Sequence, residues 1–162
     1  MGYTFKHGGH DICLDLPALA AGAAADTSSL YAYRPFFVGT RDAAVEFVLE
    51  ASLTFDAAVS AVATNNFQVN VIHLRPNAAG TAMVVQDQVN FANAGAGIAA
   101  TANLPINLAV TPAGNVVNPT GVSLLTGWQL LEGDVLKISR VSNGTGQASP
   151  AFTVTLTRGV KS

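Results

Sequence analysis

The stretch Val45-Glu46-Phe47-Val48-Leu49-Glu50-Ala51-Ser52-Leu53-Thr54-Phe55 alternates two kinds of residue. Val45, Phe47, Leu49, Ala51, Leu53 and Phe55 fall on one side, and Glu46, Val48, Glu50, Ser52 and Thr54 on the other. Successive side chains of an extended chain point to opposite faces, so a period of two marks a strand with one face in a core. The same period returns in Phe67, Val69, Val71; in Leu104, Ile106, Leu108, Val110; and in Phe152, Val154, Leu156, opposed by Thr153, Thr155, Thr157.

Working outward, further strands are expected over 81–91, 128–131, 135–142 and 151–158. They are separated by Arg75-Pro76-Asn77, Pro112 to Asn115, Asn118 to Gly121 and Glu132-Gly133-Asp134, all rich in turn formers. Residues 135–142 and 151–158 are expected to pair across the loop 143–150. Asp56 to Asn66 is open between one capped helical turn and a bulged continuation of the strand. About eight strands at this spacing give an all-β chain, a single β-sandwich of jelly-roll type. Phe47, Leu49, Leu53, Phe67, Val69, Ile138, Phe152 and Val154 are expected to line its interior.

Residues 1–29 look different. Tyr3, Phe5, Leu14 and Leu16 stand as isolated apolar pegs around His7-Gly-Gly-His10, before an Ala-rich run that Gly22 interrupts. An extended N-terminal arm over 1–29 is expected, its four pegs contacting a partner, with the sandwich domain over 30–162.

A chain of 162 residues suits one domain that removes about two-thirds of its unfolded surface from water, enough for a core without disulfides or metal. Only 11% of residues are charged, so Thr, Ser, Asn, Gln and Ala must clothe much of the surface. A formal charge of −2 and eight scattered basic residues argue against nucleic acid, which needs clustered cations. No apolar run is long enough to span a bilayer, and the N-terminus carries no apolar leader, so no membrane partner and a cytoplasmic origin are expected.

The chemistry-bearing residues form no catalytic set. His7, His10 and Asp11 could offer ligands to a metal, but glycines separate them and no framework holds them. The two closely spaced strand histidines of a metal-binding cupin are missing, as is a Gly-x-Ser-x-Gly nucleophile turn. Glu46 and Glu50 share a strand face on the simple alternation, about 13 Å apart, too far for a retaining glycosidase pair and more simply a solvated face. Gly95-Ala96-Gly97 lacks the Lys of a phosphate loop. His73 continues the face of Phe67, Val69 and Val71, as a core-edge histidine with one satisfied nitrogen. Cys13 is the single cysteine and cannot bridge internally. No catalytic residue, metal site or cofactor is expected.

The final third resembles a known family. Trp128-Gln-Leu-Leu-Glu-Gly-Asp-Val-Leu-Lys-Ile-Ser-Arg140, a Gly/Ser loop, and Pro150-Ala-Phe-Thr-Val-Thr-Leu-Thr-Arg158 are similar to the closing strands of head decoration, or cement, and auxiliary capsid proteins of tailed bacteriophages. The resemblance covers about a fifth of the chain. It implies a structural virion protein on the outer capsid surface, assembled in the host bacterial cytoplasm, with the major capsid protein as partner and a homotrimer as assembly. A receptor- or carbohydrate-binding sandwich from a phage fibre or tail is the competing role, and exposed aromatic residues beside carboxylates or amides would favour it.

Overall fold

The computed structural model describes residues 11–20, 27–32, 46–62, 64–93, 99–108, 127–142 and 148–160. Among them lie nine strands and no helix: β1 (Asp11–Leu16), β2 (Thr27–Ala32), β3 (Glu46–Phe55), β4 (Phe67–Pro76), β5 (Met83–Ala92), β6 (Ile106–Asn107), β7 (Trp128–Leu130), β8 (Val135–Ser142) and β9 (Phe152–Val160). They form two antiparallel sheets, one ordered β1-β9-β3-β6 with β7 also on β3, the other β2-β8-β4-β5. From β1 to β4 the chain alternates between sheets, and β8 and β9 return beside β2 and β1. That double winding is a jelly roll.

The expected pairing of 135–142 with 151–158 does not occur. β8 pairs with β2 and β4, and β9 with β1 and β3. β8 and β9 thus belong to different sheets, and each buries one face in the core between them. The Asp56 to Asn66 segment contains no helical turn among its described residues. Val59 instead makes an isolated bridge to Ala100, and Asn65 takes a left-handed φ of 59° that closes the turn into β4.

The strand that decides the fold departs from simple alternation at one point. The β3–β9 ladder shifts between Val48 and Glu50, with Val48 opposite Arg158 and Glu50 opposite Thr157, so Leu49 is an extra residue. A bulge of this kind swaps the faces beyond it. After it Ala51, Leu53 and Phe55 face the core, and before it Glu46 and Val48 do. Phe47 and Leu49, expected inside, are therefore half-buried outside, where the Gly127 backbone packs against them. Glu46 and Glu50 consequently lie on opposite faces. The other expected interior residues, Leu53, Phe67, Val69, Ile138, Phe152 and Val154, are buried in the core cluster.

Residues 11–16 also depart from expectation. They pair with β9 along their whole length, and Leu14 and Leu16 are only 6% and 5% exposed, packed with Ile12 in the core. Asp11, Cys13 and Asp15 are exposed between them. This is a period of two, short enough to be hidden among glycines and alanines. The expected arm therefore does not include β1, and β2, from Thr27, likewise belongs to the body. Tyr3, Phe5, His7 and His10 lie outside the described residues.

Candidate functional site: a buried ionic cluster and two clefts

His73 occupies the interior face of β4, in step with Phe67, Val69 and Val71. The β4–β5 ladder shifts between His73 and Leu74, with His73 opposite Asp87 and Leu74 opposite Val85. The extra residue, Gln86, sets Asp87 on the interior face beside Val89 and Phe91. From the other direction, Glu132-Gly133-Asp134 reverses the chain between β7 and β8. Gly133 supplies a φ of 89° that side chains rarely adopt, and the Asp134 amide donates to Leu131 O at 3.0 Å. The Asp134 carboxylate also turns back, accepting from the Leu131 amide at 2.8 Å rather than bonding forward along the chain.

These elements converge between the sheets. The His73 ring is 1% exposed, with Nδ1 hydrogen-bonded to Asp87 Oδ2 at 2.9 Å and Nε2 to Asp134 Oδ2 at 2.7 Å. Arg75 grips Asp134 with two donors, Nε to Oδ1 at 2.9 Å and Nη2 to Oδ2 at 2.8 Å, and Nη2 also donates to Gln129 O at 3.0 Å. Trp128, 1% exposed, stacks on His73 with ring centroids 6.2 Å apart and planes 16° from parallel. The cluster thus fastens β4 and β5 of one sheet to β7 of the other.

Asp134 holds the cluster electrostatically. Burial pushes its carboxyl up, but hydrogen bonds from Arg75, the Leu131 amide and His73, with the His73 charge, outweigh burial and hold it below the ordinary carboxylate range. The same hydrogen bond raises Arg75 against the effect of burial, aided by the charges of Asp134 and Asp87. Both ring nitrogens are engaged by buried carboxylates, which leaves neither open to a metal or a substrate. The arrangement therefore acts as a clamp. The sequence predicts one satisfied nitrogen on His73; the structure engages both.

Beside the clamp opens a cleft of about 340 Å³, lined by Phe47, Arg75, Gln86, Gly127, Trp128 and Gln129. A larger cleft of about 620 Å³ lies at the other end of the sandwich, where Leu16, Pro17, Ala151 and Phe152 meet Asp56 and Asn103. Near it Arg140 is fully buried, donating to Pro17 O at 2.9 Å and Ser149 Oγ at 3.1 Å, with its guanidinium 5.9 Å from the Phe152 ring centroid. Burial pushes this guanidinium below its ordinary value.

The outer faces satisfy themselves. Thr153 and Thr157 hydroxyls donate to Asp15 at 2.6 Å and Asp11 at 2.8 Å, and Cys13 Sγ lies 3.8 Å from Thr155 Oγ1 between them. On the other sheet Gln68 and Gln88 amides donate to Asn70 Oδ1 at 2.7 and 3.1 Å, and Asn70 Nδ2 donates to Ser139 Oγ at 3.4 Å. Among the described residues, no group of three or more His, Cys, Asp and Glu is arranged to hold a metal ion. Of the four residues expected to contact a partner, Leu14 and Leu16 are in the core, and Tyr3 and Phe5 lie outside the described residues.

No protein-family model and no curated protein matches the chain. Among solved structures, a chain from Desmodium yellow mottle tymovirus aligns over 100% of this chain and 93% of its own, at 12% identity and a TM-score of 0.33. A likeness of that size carries no argument about the role of this chain.

Proposed function

We propose that this chain is a structural protein of a virion, binding the outer surface of a tailed-bacteriophage capsid as a decoration or cement protein. Its partners are the major capsid protein and further copies of itself, as a homotrimer. The observation that carries the reading is the pairing of a jelly-roll body with outer faces clad in mutually bonded hydroxyl and amide side chains. Such faces can lie against another surface while burying few unpaired charges, and so avoid a large desolvation cost. Jelly rolls serve viral capsids, lectin domains and cupins alike, so the sites must separate these roles. Here His73, Asp87 and Asp134 are spent on the clamp, and Trp128 is stacked inside against His73, where it offers no platform to a sugar. The resemblance of 128–158 to the closing strands of cement proteins points the same way. Tyr3 and Phe5 remain the proposed peripheral contacts to the shell.

Co-sedimentation of the purified chain with empty phage capsids tests this. Saturable binding that raises the temperature of shell disruption and changes little between low and high salt is the expected result. Failure to bind any capsid, together with binding to a glycan, would replace the cement role with that of a receptor-binding sandwich. Binding that collapses at modest salt would show a partner held by charge.

A further inference from the structure

The clamp leaves two of its polar atoms uncommitted, and both belong to residues that line the cleft beside it. Asp87 gives Oδ2 to His73, and Arg75 gives Nε and Nη2 to Asp134 and Gln129 O. Among the described residues, Asp87 Oδ1 and Arg75 Nη1 make no hydrogen bond. The Asp87 side chain is only 10% exposed and that of Arg75 28%. An acceptor and a donor are thus held in place by the clamp itself. A buried carboxylate oxygen without a donor is unfavourable, so it takes one from whatever enters the cleft. Two amides join them at the mouth. Gln86 reaches only Val84 O, at 3.5 Å, and the exposed Gln129 side chain makes no bond among the described residues.

This pair of atoms suits no simple ion. An anion on Arg75 Nη1 would lie in one cleft with Asp87, and a cation on Asp87 Oδ1 in one cleft with Arg75, each facing a like charge. A neutral ligand that donates to one atom and accepts from the other meets both. Two neighbouring hydroxyls do this, because each is donor and acceptor. Gln86 and Gln129 carry both functions as well, so four polar side chains favour a ligand with several hydroxyls over one with a single amide group. Phe47 and Trp128 supply apolar wall for its C–H groups, and about 340 Å³ lies near the lower end of ligand pockets. We infer that this cleft binds one neutral sugar ring, with two adjacent hydroxyls on Asp87 Oδ1 and Arg75 Nη1. Trp128 is stacked on His73, so hydrogen bonds hold the sugar and ring stacking does not. The site goes beyond the shell-binding role, which uses the outer faces of the sandwich.

The test uses the full chain in solution without capsids. NMR follows the side-chain N–H signals of Gln86, Gln129 and Trp128 while D-glucose, D-galactose, D-mannose and N-acetyl-D-glucosamine are added in turn. At least one sugar should shift them saturably, with a Kd of about 1 to 10 mM, and leave the amide signals of Asp56 and Asn103 at the other cleft unmoved. The double variant Gln86→Ala/Gln129→Ala, confined to the mouth of the cleft, should weaken that sugar about tenfold with an unchanged Tm. Asp87→Asn should weaken it at least as much; if that variant does not fold, the double variant decides. No shift with any of the four sugars, shifts confined to the other cleft, or unchanged affinity in the double variant would overturn the sugar site. Because no shell is present, such a failure leaves the cement role to be decided by co-sedimentation.

Discussion

The two ends of this sandwich are held by different physics. At one end Phe55 sits among Phe67, Phe91 and Phe152, with ring centroids 5.9, 5.6 and 5.6 Å away in edge-on or tilted contacts. Burial of apolar area and ring packing hold that end, with weak dependence on pH or salt. At the other end His73, Arg75, Asp87 and Asp134 are bonded beneath Trp128, and the inward-facing Glu46 accepts from Arg158 at 3.3 Å. A buried ionic network stabilises less than its count of bonds suggests, because each charge has left water, yet removing one member strands the rest. One fold therefore carries an apolar lock and an ionic lock. Only the second responds to protons.

The comparison breaks if the largest effects do not appear at both ends. Phe55→Ala should cost about 3 to 5 kcal/mol by emptying a space that three rings share, and Asp134→Ala a similar amount by leaving His73 and Arg75 without their acceptor. Denaturant unfolding checks both; a loss below about 1 kcal/mol at either position would show that its end is not held as described. The bulge is tested by a smaller effect. Phe47→Ala should cost no more than about 1 kcal/mol, because Leu49 turns Phe47 outward, whereas Phe152→Ala should cost about 3 to 5. Equal losses would mean that β3 alternates without interruption. Smallest of all, Asp15→Ala removes an exposed bond to Thr153 and should change stability by about 0.5 kcal/mol or less.

The apolar end was legible in the sequence because its residues obey a local rule. Leu53, Phe55, Phe152 and Val154 repeat every second position, and two such strands facing each other need a core between them. The ionic end was not legible, because it depends on two bulges that insert one residue each. A period of two cannot show that Leu49 or Gln86 is the extra residue. The Glu132-Gly133-Asp134 turn was evident as a reversal, but the partners of Asp134 lie 59 and 61 positions away in Arg75 and His73. One local signal did exist: a histidine continuing the inward face of Phe67, Val69 and Val71 must find polar partners if buried. β1 was missed for a different reason, since three alternations among small residues offer little contrast.

The most direct test of the two-lock account is stability against pH. In the folded chain the Asp134 carboxyl lies below its ordinary range, so on acidification the unfolded chain takes up that proton first. The stabilisation is complete above the unfolded value near pH 4 and is lost as pH falls through the lower folded value. Denaturant unfolding of the wild type, Asp134→Asn and Phe55→Ala should be followed from about pH 7 to about pH 2.5. The account predicts that the gap between wild type and Asp134→Asn closes as pH drops below about 4, while the gap to Phe55→Ala stays nearly constant. Two gaps that remain parallel across the range would contradict it.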